Sequence, residues 1–229
     1  MCLCSIWTII TQKQNLSTVK RQISAVEKQN NTILYEREQV GYNSDSKQRE
    51  EEHRRLNWEF TVLDAIWSMH TPLLDTFFQT ITHLGDAGWF WILLALILLI
   101  FRKTRICGFC MLAGMAVGVL ITNVGLKPLV ARERPCWIND TVQLLVDVPK
   151  DYSFPSGHSQ ISFVSAAAIF WNNRKWGIAA FVLAALIAFS RLYLYVHFPT
   201  DVLAGMVIGI ASGWSMSRLV RKKTCTIES

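Results

Sequence analysis

The chain has 229 residues, 51% of them hydrophobic, with a mean hydropathy of +0.26, a formal charge of +6 and a pI near 9.1. That length suits one or two domains, and the apolar content points to a membrane protein. Lys and Arg fall in short runs between apolar segments, which fits membrane topology and argues against a nucleic-acid-binding stripe.

Residues 1–55 are rich in Gln, Asn, Lys, Arg and Glu and hold no long apolar run. They predict a polar extension that is disordered or loosely helical, ahead of a membrane-embedded domain over 56–229. "MCLCSIWTII" is too short to span a bilayer and has neither a basic leader nor a small-residue cleavage site. Residues 57–86 carry apolar side chains at helical spacing (Phe60, Leu63, Ile66, Trp67) around Glu59, Asp64, His70 and Asp75. Pro72 divides them into two short helices, and the acids place them in the membrane interface.

Five uncharged stretches follow, 87–101, 106–126, 159–173, 176–190 and 202–217. The fold class expected is all-α, a polytopic helical bundle of about five transmembrane helices plus the interfacial segment. A span takes ~20 residues, so four of the five must be extended by polar or charged neighbours. The connectors "RKTR", "RK" and "RLVRKK" hold nine basic residues and no acid, which puts them and the C-terminus in the cytoplasm. The opposite connectors, 127–158 and 191–201, are then extracytoplasmic. This leaves nine Lys and Arg residues in 1–55 to be exported. Two resolutions are a sixth span within 57–86 or a natural start near Leu56.

That topology brings Lys127, Arg134, Ser156, His158, Arg191, His197 and Asp201 to one face at the depth of lipid head groups. Singly, each has an ordinary explanation: snorkelling anchors, a helix cap, a loop histidine. Trp89, Trp91, Trp137, Tyr193 and Tyr195 are expected in the interfacial aromatic belt, and "TVQLLVDV" (141–148) as an amphipathic lid or a packing helix. His83 and Asp86 can touch the site, but helix-end capping is the reading preferred for them. Cys2, Cys4, Cys107, Cys110, Cys136 and Cys225 show no disulfide framework. The C-x-x-C of Cys107 and Cys110 lies in an apolar helical run and is assigned to packing.

"KPLVARERP" fits Lys-x6-Arg-Pro, "PSGH" spans 155–158, and "SRLYLYVHFPTD" fits Ser-Arg-x5-His-x3-Asp. With these three motifs in order, residues 57–229 resemble the type 2 phosphatidic acid phosphatase superfamily. Within it they resemble the short undecaprenyl pyrophosphate phosphatases associated with bacitracin resistance. The resemblance implies an integral-membrane lipid phosphatase in which His197 becomes a phosphohistidine, Asp201 orients it and His158 protonates the leaving oxygen. The residue types suit that chemistry. Lys127, Arg134 and Arg191 supply cations for the phosphoryl oxygens, and Ser156 and Gly157 a hydroxyl and backbone donors at a helix start.

Too few clustered carboxylates are evident for a metal pair, so no metal or cofactor is expected. The partner expected is a polyprenyl or glycerolipid phosphate in the plasma membrane, with no nucleic acid; oligomeric state is left open. Alternatives are a phosphatidylglycerophosphate or phosphatidate phosphatase, a lipid phosphotransferase, and a non-enzymatic transport component. Vanadate-dependent haloperoxidases resemble the same motifs, but the apolar segments argue against a soluble oxidase.

Overall fold

A computed structural model describes residues 58–139 and 141–227, with side chains up to Val220. The polar extension expected over 1–55 lies outside the described residues.

Helix α1 (58–67) and α2 (Pro72–His83) are separated at Pro72, as the sequence predicts. Proline is pre-shaped for the first helical position, and the Thr71 hydroxyl accepts the Leu74 N–H at 3.3 Å. A 3-10 turn, Asp86–Gly88, leads into α3 (Trp89–Ile100); Gly88 takes φ +70°, where a side chain would be strained. Helix α4 (Arg105–Val119) runs through a π turn, Leu120–Leu126, into the short α5 (Lys127–Val130). After α6 (Pro135–Ile138) comes an irregular stretch, then α7 (Gly157–Asn172), α8 (Arg174–Tyr193) and α9 (Pro199–Ile227). The Asn173 side chain ends the α7–α8 turn by accepting the N–H groups of Lys175 and Trp176.

Every described regular element is helical, in keeping with the all-α expectation. Three stretches are long and apolar enough to cross a membrane: Arg105–Ile138, Arg174–Tyr193 and Pro199–Val220. The pair Pro72–His83 and Asp86–Ile100, bent by 44°, makes a fourth if it is one span. Helix α7 has 16 residues, or about 24 Å, and falls below that length. It is nonetheless the centre of the bundle, buried along most of its course between α4, α8 and α9.

Helix α9 approaches α7 at backbone distance. A Cβ at Gly205, Gly209 or Gly213 would lie 2.5 Å from the carbonyl oxygens of Ser156, Gln160 and Val164 respectively. Glycine every fourth residue keeps one helical face bare, so the two backbones meet directly. Around this seam, Trp91, Met111, Phe163, Val164 and Ile187 form the main core. Cys107 and Cys110 are buried within it, their thiols toward the carbonyls of Ala168 and Met216.

Two expectations need correction. Tyr193 and Tyr195 are 0% and 1% exposed, and Trp91 is equally buried, so these three are not belt residues; Trp89 and Trp137 are the exposed ones. The tyrosines turn inward because each hydroxyl finds an acid on the amphipathic segment, Tyr193 on Asp75 at 2.6 Å and Tyr195 on Asp64 at 2.7 Å. Residues 141–148 form no helix: Leu144, Leu145 and Val146 instead pack as an irregular strap against Ile66, Phe78 and Tyr193. Gln79 fixes the strap by donating to the Leu145 carbonyl at 2.6 Å.

Candidate active site

The site lies where α2, α5, α6, α7 and the α8–α9 connection converge. Asp201, in the first turn of α9, is wholly buried. Its Oδ2 accepts the Ser153 hydroxyl and the Phe198 N–H, the latter at 2.9 Å, and faces His197 Nδ1 at 3.6 Å. That last separation is an ion-pair distance rather than a hydrogen bond. The Ser153 hydroxyl stands beside both groups, 3.4 Å from His197 Nδ1. On the far side of the ring, Arg134 Nη1 is 3.1 Å from Nε2. The imidazole therefore turns Nδ1 toward an acid and Nε2 toward a cation. Burial, reinforced by Arg134 and Arg191, outweighs Asp201 and pulls the pKa of His197 down from 6.5 to about 3. The ring is neutral at physiological pH, with its lone pair on offer.

Arg134 is 2% exposed and holds the surrounding loops through the carbonyls of Val196 and Asp151, both at 2.7 Å. Its Nη2 and the Lys127 ammonium meet the same carboxylate, Asp151. Burial raises the pKa of that acid, but the hydrogen bond from Lys127 and the charge of Arg134 prevail and bring it down to about 2. Arg191 also turns inward rather than snorkelling. Its Nη1 donates to Thr82 at 2.6 Å, and its buried Nε has no partner among the described residues. A buried guanidinium with an unspent N–H is suited to an anionic ligand.

Ser156 caps α7: its hydroxyl oxygen accepts from the Ser159 hydroxyl at 3.0 Å and lies 3.4 Å from the Ser159 N–H. A Cβ at Gly157 would meet nothing within 4 Å, so this turn faces open space. His158 follows, its Nε2 3.0 Å from Asp86 Oδ1, while Asp86 Oδ2 takes His83 Nδ1 at 2.7 Å. The capping role expected for His83 and Asp86 is thus displaced by a contact with His158. The chain kinks at residues 84–88, which swings Asp86 across to α7. A Cβ at Gly85 would lie 2.5 Å from His158 Cδ2, so the approach requires glycine there. Arg134 and Arg191 both act electrostatically on His158 as they do on His197, placing all eight motif residues singled out from the sequence around one cluster.

Five further residues join them. Ser153 and Asp151 flank the second motif and Arg132 lies inside the first, whereas Asp86 and Glu59 come from the amphipathic segment. The only sequence signal for the last two was an acid in an otherwise apolar helical pattern. Among the described residues no group of three or more His, Cys, Asp or Glu is placed to hold a metal ion.

An apolar helical bundle carrying two carboxylate-paired histidines amid three buried or half-buried cations has the groups that phosphoryl transfer in a membrane protein calls for. The family model of the PAP2 superfamily matches residues 106–225, and the chain belongs to that superfamily. It is 32% identical over 168 residues to the undecaprenyl-diphosphatase BcrC of Bacillus subtilis, covering 71% of this chain and 83% of that protein. An undecaprenyl-diphosphatase of Sulfolobus acidocaldarius is 35% identical over 120 residues, 52% of this chain; the chain spans only 58% of its length. Among solved structures, the transmembrane PAP2-type phosphatidylglycerolphosphate phosphatase of Bacillus subtilis superposes with a TM-score of 0.62 at 28% identity. That match covers 74% of this chain and 87% of the other. With these relatives, the chain is a phosphatase of the membrane-embedded kind.

Proposed function

We propose that the protein removes the terminal phosphate of undecaprenyl pyrophosphate at the extracytoplasmic face of the plasma membrane, through a phosphohistidine. The observation that carries this reading is the environment of His197: buried, neutral, Nε2 against Arg134 and Nδ1 toward Asp201. Nε2 attacks the terminal phosphorus and an N–P bond forms as the P–O bond to the lipid phosphate breaks. Positive charge developing on the imidazole is met by Asp201. Lys127, Arg134 and Arg191 face the phosphoryl oxygens, with the N–H groups at Ser156 and Gly157. His158, held by Asp86, gives its proton to the departing oxygen. It then takes one from the water that cleaves the N–P bond, releasing inorganic phosphate.

Sidedness follows from the basic connectors, which put the C-terminus in the cytoplasm and the site on the opposite face. The polyprenyl tail stays in the bilayer while the head group reaches the cations. The BcrC relative supports the pyrophosphate substrate. A second reading keeps the chemistry and takes phosphatidylglycerophosphate, in line with the structural neighbour of that activity.

Phosphate release by detergent-purified protein from both lipids, measured side by side with EDTA present, tests the proposal. A higher kcat/KM on undecaprenyl pyrophosphate and complete loss in His197→Ala are expected. Total loss in EDTA restored by Mg²⁺ overturns the mechanism, and a His197→Ala variant that still confers bacitracin resistance at wild-type level overturns the enzymatic role.

A further inference from the structure

Asp201 has a second neighbour that the nucleophile reading does not use. Its Oδ1 accepts from Arg132 Nη1 at 2.7 Å, and Arg132 Nη2 is paired in turn with Glu59. Arg132 falls among the six intervening residues of the Lys-x6-Arg-Pro motif, and Glu59 lies on α1, well outside the span matched by the family model. Glu59 is 2% exposed. Its other oxygen accepts the Thr200 hydroxyl at 2.6 Å and the Thr200 N–H at 3.2 Å, at the very start of α9. The Arg132 guanidinium also donates to the Thr200 hydroxyl and lies 4.1 Å over the Phe198 ring. Glu59, Arg132 and Asp201 thus stand in a row of alternating charge that ends at the His197 ring.

The charge count decides what this row does. Asp201 and Arg132 alone would be a neutral pair, with little to offer an imidazole that gains positive charge as Nε2 bonds to phosphorus. Glu59 offsets Arg132 and returns the trio to a net charge of −1 facing Nδ1. In a buried setting such a unit of charge is felt strongly, because little water screens it. We propose that Glu59 is a positioning residue for phosphoryl transfer: by offsetting the charge of Arg132, which is bonded to the Asp201 carboxylate, it keeps the negative charge of Asp201 available to the phosphorylated ring. This rests on His197 being the nucleophile.

The test is a neutralisation cycle in the full chain: Glu59→Gln, Arg132→Gln and the double variant. Phosphate release is followed in detergent, and phosphohistidine formation in base-quenched single turnovers. Glu59→Gln keeps the acceptor for Thr200 but leaves Arg132 uncompensated, and is expected to lower kcat by about 10- to 100-fold with KM within about twofold. In the double variant the charge beside His197 returns to −1, so kcat is expected to recover to within about tenfold of wild type. A merely structural pair gives the opposite order, with the double variant no better than Glu59→Gln. That outcome, or a Glu59→Gln kcat equal to wild type, overturns the proposal.

If Glu59→Gln does not accumulate folded, as judged by its elution and melting in detergent, the other two variants carry the test. Each is expected to turn over within about tenfold of wild type, and a larger loss in either at unchanged KM overturns the role. The two readings fail separately. No phosphohistidine in wild type removes the nucleophile, whereas equal phosphorylation rates in wild type and Glu59→Gln remove only the charge-balancing role.

Discussion

Asp151 occupies two of the three cations proposed to bind the phosphoryl group. Its carboxylate bridges Lys127 and Arg134 while its own side chain is 55% exposed, so it can swing out as a phosphoryl group arrives. Asp151→Asn removes the charge and keeps the size. At the 2.7 Å between Arg134 Nη2 and Asp151 Oδ1, two unit charges attract by about 1.5 kcal/mol at the dielectric of water. The water end of the range applies because the acid is half in solvent, and the second contact with Lys127 is screened in the same way. With about 1.4 kcal/mol per tenfold, the substitution should tighten competitive inhibition by inorganic phosphate by about tenfold at low salt. The assay is the inhibition constant for phosphate against lipid-phosphate hydrolysis, for wild type and variant, from pH 8 to pH 5. The pKa of Asp151 near 2 keeps it ionised across that range, so the difference should persist at every pH tested. An unchanged or weaker inhibition constant refutes the reasoning and makes Asp151 a clamp that orients the cations instead of a competitor for them.

Gly85→Ala should lower kcat on the order of 100-fold with little change in KM, because its Cβ would displace His158. The loss should be larger for an alkyl phosphate than for p-nitrophenyl phosphate, whose leaving group needs no proton; equal losses would show that His158 is not the acid. His197 also makes stability depend on pH. Its folded pKa of about 3 lies below its ordinary value of 6.5, so between those values the unfolded chain binds the extra proton and stability falls as pH falls. At pH 5 this amounts to about 2 kcal/mol, or on the order of 5 °C in melting temperature for a chain of this size. His197→Asn should therefore lose less melting temperature than wild type between pH 7 and pH 5, and parallel losses would contradict the buried, neutral imidazole.

The motif residues were legible in the sequence because membrane topology alone delivers helix ends to a common face. Lys127, Arg134, His158, Arg191, His197 and Asp201 needed only the order and polarity of the apolar segments. The all-helical bundle was legible for the same reason, from hydropathy and the basic connectors. What surrounds the motifs was not. Whether Asp86 caps α2 or reaches His158 depends on the kink at residues 84–88, which no periodicity encodes. Tyr193 and Tyr195 have the residue type and depth of a belt. Their burial is decided by Asp75 and Asp64, more than a hundred residues earlier, and by the left-handed backbone of Tyr195 at φ 58°. Glu59 read as an obstacle to membrane insertion because its partners, Arg132 and Thr200, are 73 and 141 residues away in the chain. The strap at 141–148 has helical periodicity, yet its apolar residues are satisfied by packing onto α1, α2 and the α8–α9 connection without forming a helix.

The glycine seam has a mechanical consequence. His158 rides on the first turn of α7 and Asp201 on the first turn of α9, and the Ser156 N–H is bonded to the Asp201 carbonyl at 3.0 Å. Below that bond the two backbones are in contact at Gly205, Gly209 and Gly213, with no side chain between them to compress or rearrange. His158, the proposed proton donor, and Asp201, the acid behind the proposed nucleophile, are therefore mounted on a single strut. A bilayer that thickens or thins with temperature or composition can tilt this strut, but it tilts both halves of the chemistry together. The spacing on which the reaction depends is thereby insulated from the solvent that the lipid-facing surface must follow.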